Sequence, residues 1–126
     1  MKRKGSKSDY TDARNKELRK AFFSQDAYST SDRALERVLK TPTSRFWVDP
    51  DHARDTISRI KRNPEILERM LPERQRMYTE LIRKFDELKM KYPGSSNVNC
   101  VTMAIYSGAP EFYIKPSTAR AILYNS

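Results

Sequence analysis

The sequence matches itself at an offset of 66 residues, and this internal repeat restricts the possible folds more than any other feature. Residues 44–54 align with residues 110–120. Matched positions are identical or similar: Phe46 with Phe112, Trp47 with Tyr113, Val48 with Ile114, Pro50 with Pro116, Ala53 with Ala119, and Arg54 with Arg120. Upstream, Leu35 and Leu39 fall on Val101 and Ile105. Because several elements match in the same order, the pattern indicates two copies of one module.

Proline and capping residues predict where the helices begin. Asp49-Pro50 is a cap followed by proline at the first helical position, which predicts a helix to Arg62, and Asn63-Pro64 repeats the pattern for a short helix. Apolar residues at helical spacing predict the other helices. These lie at about 9–25, between Ser31 and Pro42, at 72–91, at 96–106 and at 116–124.

Two short apolar segments, residues 45–48 and 112–114, have the composition of β-strands. A strand this short cannot satisfy its backbone groups alone, so we expect the two to pair antiparallel about a pseudo-two-fold axis. Phe46 and Phe112 would then face the core together, as would Val48 and Ile114. Trp47 and Tyr113 would lie on the opposite face, where they cover a helix or form an exposed aromatic patch.

The predicted fold is therefore mainly α, a duplicated three-helix module with two short β-strands pairing at a pseudo-two-fold. A chain of 126 residues is long enough for one modest core. We expect residues 1–8 to form a flexible basic tail. Residues 9–126 would form a single compact domain made of two repeats, at about 9–62 and 72–126.

The net charge of +9 is unevenly distributed and favours a polyanionic partner. Residues 1–62 contain 16 Lys and Arg against 9 Asp and Glu, whereas residues 63–126 contain 9 against 7. The excess is therefore +7 in the first half and +2 in the second. The simpler interpretation is that the charge only keeps the protein in solution.

The third helix of the first copy carries several of these cations. Helix-turn-helix proteins present a third helix of this kind to duplex DNA. The predicted nucleic-acid contacts are Lys2, Arg3, Lys4, Lys7, Arg45, Arg54, Arg59, Lys61, Arg62 and Arg120. Two features depart from that arrangement. Ten residues separate Leu39 from Pro50, where about three or four are usual, and the last helix of the second copy is poor in charge. Arg54 and Arg120 also have a structural interpretation, an ion pair with a carboxylate such as Glu36 or Glu80.

The repeat, Ser-Arg-Phe-Trp-Val and Pro-Glu-Phe-Tyr-Ile-Lys-Pro, resembles a group of small uncharacterised helical proteins of Bacteroidetes and their phages or mobile elements. Those proteins share a repeated Phe-Trp/Tyr-Val/Ile-x-Pro motif. The resemblance covers residues 14–124. It implies such an origin and a repeated architecture, and it carries over no activity and no functional residues.

Other classes of function find little support in the sequence. One cysteine, Cys100, and one histidine, His52, leave no metal-binding cluster, and we expect no cofactor. His52 beside Asp51 and Asp55 is ordinary for the first turn of a helix, so we expect no enzyme. No apolar run approaches the length of a membrane span and no secretory signal begins the chain, which predicts a cytoplasmic protein without membrane contact.

Two hypotheses follow. The first is a small DNA-binding protein, possibly regulatory in role, that contacts phosphates of duplex DNA through the cationic third helix and the tail. The alternative is a non-enzymatic protein-interaction or virion-associated module that uses Trp47 and Tyr113. They differ in whether the cations of the third helix form one surface with residues 2–7 or are scattered among carboxylates; these cations are Arg54, Arg59, Lys61 and Arg62. The sequence does not decide the oligomeric state.

Overall fold

A computed structural model describes residues 6–24 and 32–124 of the chain. The fold is mainly α, as predicted. The helices of the described residues are α1 (Ser6–Phe23), α2 (Asp32–Leu39), α3 (Pro50–Arg62), α4 (Glu65–Glu68), α5 (Pro72–Lys91), α6 (Asn97–Ile105) and α7 (Pro116–Tyr124). Helix α1 begins at Ser6, so its first turn includes residues that the sequence had placed in the tail.

Asp49 and Pro50 begin α3 as predicted, whereas α4 begins at Glu65, one residue after the predicted Pro64. The Asp49 carboxylate accepts a hydrogen bond of 3.0 Å from the His52 backbone N–H, and Pro50 occupies the first position of α3. The Ser96 hydroxyl accepts from the Asn99 N–H at 3.1 Å and begins α6. These bonds satisfy amide groups that a helix start would otherwise leave without a partner.

The two predicted β-strands are wrong. The part of the chain that the structure describes contains no strand, and its one β-type pairing is an isolated antiparallel bridge between Thr43 and Ala109. Two local features prevent extended pairing at the predicted positions. The Val48 N–H donates back to the Phe46 carbonyl at 3.0 Å, which curls that segment. Tyr113 has a φ of 59°, which interrupts the extended conformation of the second segment, residues 112–114.

The chain builds two hydrophobic cores, and the third helix of each half packs in the core of the other half. Helix α3 packs against α6, and α5 completes that core. Helix α7 packs against α1 and α2. The prediction that each half forms its own three-helix unit is therefore wrong. Residues 40–49 and 106–115, the crossing segments, carry the chain from one core to the other.

The crossing segments meet through reciprocal backbone hydrogen bonds. Thr43 and Ala109 donate to each other, both at 2.9 Å. The Phe46 N–H donates to the Ile105 carbonyl at 2.9 Å, and the Phe112 N–H donates to the Leu39 carbonyl at 3.0 Å. The last two bonds are interchanged when 66 is added to or subtracted from each residue number.

Successive side chains of each crossing segment enter different cores. Phe46 lies in the α3–α5–α6 core, whereas the neighbouring Trp47 lies in the α1–α2–α7 core. Phe112 lies in the α1–α2–α7 core, while Tyr113 packs on the other core and stacks on Phe46, with ring centroids 6.0 Å apart. Phe46 and Phe112 therefore do not face one core together, which corrects the prediction. Val48 and Ile114 are likewise in different cores.

Candidate nucleic-acid interface

Helix α3 buries one stripe and presents its cations on the opposite side. The buried stripe consists of Ala53, Thr56, Ile57 and Ile60. Because successive residues of an α-helix are about 100° apart, Arg59 and Arg62 share an exposed stripe with His52, while Arg54 and Lys61 lie along its flank. All of these except Arg54, which is half-buried, are exposed.

The two flanking cations form ion pairs. Arg54 contacts Asp55 at 3.2 Å and Asp51 at 3.9 Å, so the predicted Glu36 is not its partner. Lys61 contacts Asp86 of α5 at 2.7 Å. Exposed pairs of this kind contribute about 0–1 kcal/mol each. By the same 100° spacing, Asp55 lies on the exposed stripe of Arg59 and Arg62, so its carboxylate offsets part of the positive charge there.

The remaining cations of α3 are Arg59 and Arg62. Both are exposed, and they form no ion pair within the described residues. The charges of Arg59 and of Arg74 on α5 both act on Tyr78, and the Arg74 guanidinium is 5.7 Å from the centre of the Tyr78 ring. Burial raises the pKa of the Tyr78 hydroxyl, and the positive charges of Arg74 and Arg59 partly oppose that rise. We call Arg59, Arg62 and Arg74 the α3 basic face.

Arg45, also predicted to contact nucleic acid, is engaged inside the protein. Its guanidinium lies over three aromatic rings, 5.7 Å from the centre of Tyr10, 5.3 Å from Trp47 and 4.6 Å from Tyr106. It also donates to the carbonyls of Phe46 at 2.9 Å and Val48 at 2.6 Å. These contacts connect α1, both crossing segments and the end of α6, so Arg45 has a structural role.

Of the other predicted cations, Arg120 lies away from the α3 basic face. Lys2, Arg3 and Lys4 lie outside the described residues, and Lys7 belongs to the first turn of α1. Arg120 is exposed on α7, which belongs to the other core.

The aromatic pair of the alternative hypothesis does not form an exposed patch. Trp47 is only 8% exposed. Its Nε1–H donates to the Thr43 hydroxyl at 3.1 Å. Tyr113 is half-buried against Phe46, and burial, with the negative charges of Glu111 and Glu80, raises its pKa to about 12.

A cleft of about 390 Å³ lies beside the α3 basic face and includes one of its members. Its lining residues come from α1, the first crossing segment, α3 and α5: Tyr10, Trp47, Val48, Asp49, His52, Arg74 and Met77. Sequence reasoning missed Tyr10 and Arg74 as site residues. Their only pattern in the sequence is a place on an amphipathic helix, which does not indicate that the two helices meet.

No family model, curated protein or solved structure matches this chain significantly. The resemblance to proteins of Bacteroidetes and their phages therefore stays a prediction.

Two further findings concern the described residues alone. Their His, Cys, Asp and Glu side chains form no group of three or more that could hold a metal ion. Among them there is also no helix with the length and apolar character needed to cross a bilayer. Cys100 is a buried free thiol in the α3–α5–α6 core.

Proposed function

We propose that this protein binds nucleic acid and contacts phosphates through the α3 basic face. The observation that carries the proposal is the exposed pair Arg59 and Arg62, which forms no ion pair within the described residues. The charges of Arg59 and Arg74 also act on the same residue, Tyr78. Guanidinium groups bind phosphate with two parallel hydrogen bonds, and each phosphate that they neutralise releases condensed counterions. Lys2, Arg3 and Lys4 remain candidates for further contacts.

The packing of α3 supports this assignment. Helices α5 and α6 pack together, and α3 packs on them with its opposite side exposed. Trihelical DNA-binding domains place their third helix in the same way. The long connection between α2 and α3 no longer argues against such an arrangement, because α3 packs on α6 and not on α2. We infer that duplex DNA is the first ligand to test.

We also propose that the two halves are copies of one module with their third helices exchanged. The reciprocal bonds of the crossing segments support this idea. The same offset relates a second set of contacts: Arg45 with Tyr10 and Tyr106, and Glu111 with Arg76 and Lys40. Equivalent positions thus touch in both halves, although the charge is reversed. The copies have diverged, and the cations needed for phosphate are on α3 rather than α7.

The test is fluorescence anisotropy with a labelled duplex at low salt. The double variant Arg59→Gln/Arg62→Gln is expected to lose about ten-fold or more in affinity, since it removes two phosphate contacts. The control Lys91→Gln/Lys115→Gln removes the same charge from exposed positions elsewhere and is expected to bind nearly as the wild type does. Equal losses in both variants would refute a specific role for α3.

The interaction module built on Trp47 and Tyr113 is not proposed, because neither side chain contributes to an exposed patch. A cytoplasmic location and an origin in a phage or mobile element accompany the DNA-binding proposal as expectations.

A further inference from the structure

The cleft beside the α3 basic face combines aromatic walls with polar groups. Tyr10 and Trp47 supply the rings, Asp49 and His52 supply polar atoms, and Arg74 contributes a cation. A volume of about 390 Å³ is at the small end of the range for ligand sites, which is roughly 300–1,000 Å³. Such a cleft has room for one small planar group.

The aromatic walls are held in place before any ligand arrives. Arg45 contacts both rings and is not among the described residues that line the cleft. The Trp47 Nε1–H donates to Thr43, whose hydroxyl donates to Glu17 at 2.5 Å. A ligand that stacks here therefore meets side chains that have already lost much of their freedom, which favours binding.

The polar groups match the edge of a nucleobase. One Asp49 oxygen accepts from the His52 backbone N–H, and the other has no hydrogen-bond partner within the described residues. Carboxylate oxygens accept from exocyclic amino groups, such as that of cytosine. Aromatic rings beside a cationic track are also the arrangement by which proteins hold single strands.

We propose that this cleft binds one unpaired nucleotide of a single strand, whose neighbouring phosphates lie on the α3 basic face. The inference rests on the proposed function and adds a second ligand, a single strand, that uses the same basic face. Tyr10 stacks on the base, Asp49 accepts from its amino group, and Arg74 bridges the cleft and the basic face. A duplex keeps its bases paired and leaves the cleft empty.

Trp47 provides a direct readout, because it is the single tryptophan of the chain and lines the cleft. We expect a single strand of about 12 deoxycytidines, within the site sizes of single-strand binders, to change the Trp47 emission in a saturable way. A duplex of the same length is expected to bind with little change in emission. Deoxycytidine monophosphate alone is expected to bind far more weakly, since it lacks the neighbouring phosphates.

Tyr10 is the position at which the stacking is tested. Tyr10→Leu is expected to reduce single-strand affinity about ten-fold while leaving duplex affinity unchanged, and Tyr10→Phe is expected to retain single-strand binding because its ring stacks equally well. Circular dichroism of both variants checks that they fold.

Several results would overturn the cleft assignment. One is that Tyr10→Leu and Tyr10→Phe bind the single strand with equal affinity. Another is that the Trp47 emission does not change when the single strand binds. The third is that deoxycytidine monophosphate saturates the protein at the same concentration as the strand. If the duplex still binds through Arg59 and Arg62 in those cases, only the cleft proposal fails. If neither nucleic acid binds, the proposed function fails with it.

Discussion

Glu17 connects α1 to the first crossing segment through three hydrogen bonds. Its carboxylate accepts from the Thr43 hydroxyl, from the Ser44 N–H at 2.7 Å and from the Ser44 hydroxyl at 2.7 Å. Burial alone would raise the pKa of Glu17, but the hydrogen bonds from Thr43 and Ser44 outweigh it and lower the pKa below 4.5. The carboxylate is thus stabilised in its charged form when the protein is folded.

This shift predicts a pH dependence of stability. Because the folded pKa of Glu17 is depressed, its contribution is present above pH 4.5 and is lost as the pH falls through the folded pKa. Glu17→Gln is therefore expected to lower the free energy of unfolding by about 1–2 kcal/mol at pH 7 and by less at pH 3. Urea unfolding at both pH values measures this. Glu68→Gln, at an exposed position, is the control and is expected to change little. An equal loss at both pH values for Glu17→Gln would contradict the account.

The sequence predicts that Arg45 and Arg59 both contact nucleic acid. In the structure, Arg45 packs on aromatic rings and Arg59 is exposed. Arg45→Met removes a guanidinium from three aromatic rings and two carbonyl groups, so it is expected to cost about 2–3 kcal/mol of stability. Arg59→Met, at an exposed position, is expected to stay within about 0.5 kcal/mol. Urea unfolding of the two variants distinguishes them, and similar losses would show that the aromatic contacts of Arg45 are unimportant.

At the scale of the elements, local chemistry made the helices predictable. The starts of α3, α5 and α7 follow from Pro50, Pro72 and Pro116, each of which occupies a first helical position, and Ser96 begins α6. Local composition misled at residues 45–48 and 112–114. Their aromatic and β-branched residues suit a strand, and their side chains do alternate between the two cores as they would in a strand. The extended backbone is nevertheless interrupted by the hydrogen bond from Val48 to Phe46 and by the positive φ of Tyr113.

The packing of α3 on α6, and of α7 on α1 and α2, was beyond sequence reasoning for a physical reason. Helices α2 and α6 align in the repeat and both offer apolar faces, so the pattern of α3 does not indicate which of the two it will contact. The candidate site shows the same limit. The cations of α3 were predictable from one helix, whereas Tyr10 and Arg74 join the cleft only because distant helices meet there.

At the scale of the whole molecule, the crossing segments make the two cores depend on each other. Trp47 follows Phe46 in sequence but packs in the other core, and Tyr113 crosses in the opposite direction. Unfolding either core therefore withdraws side chains from its neighbour. We predict one cooperative transition in place of two.

The chain contains a natural probe for each core. Cys100 is buried in the α3–α5–α6 core, and Trp47 is buried in the α1–α2–α7 core. Thiol labelling of Cys100 and the emission of Trp47, followed across the same urea series, are expected to give coincident midpoints. Two separate midpoints would show that the cores are independent.

The central claim is that α3 presents phosphate-binding cations, and the salt dependence of duplex binding tests it most directly. Each phosphate neutralised adds about −0.9 to the slope of log K against log salt concentration. Arg59, Arg62 and Arg74 together predict a slope of about −2.7 or steeper for the wild type, and Arg59→Gln/Arg62→Gln is expected to lower its magnitude by about two. Absence of binding at low salt, or binding whose affinity does not change with salt, would contradict the account.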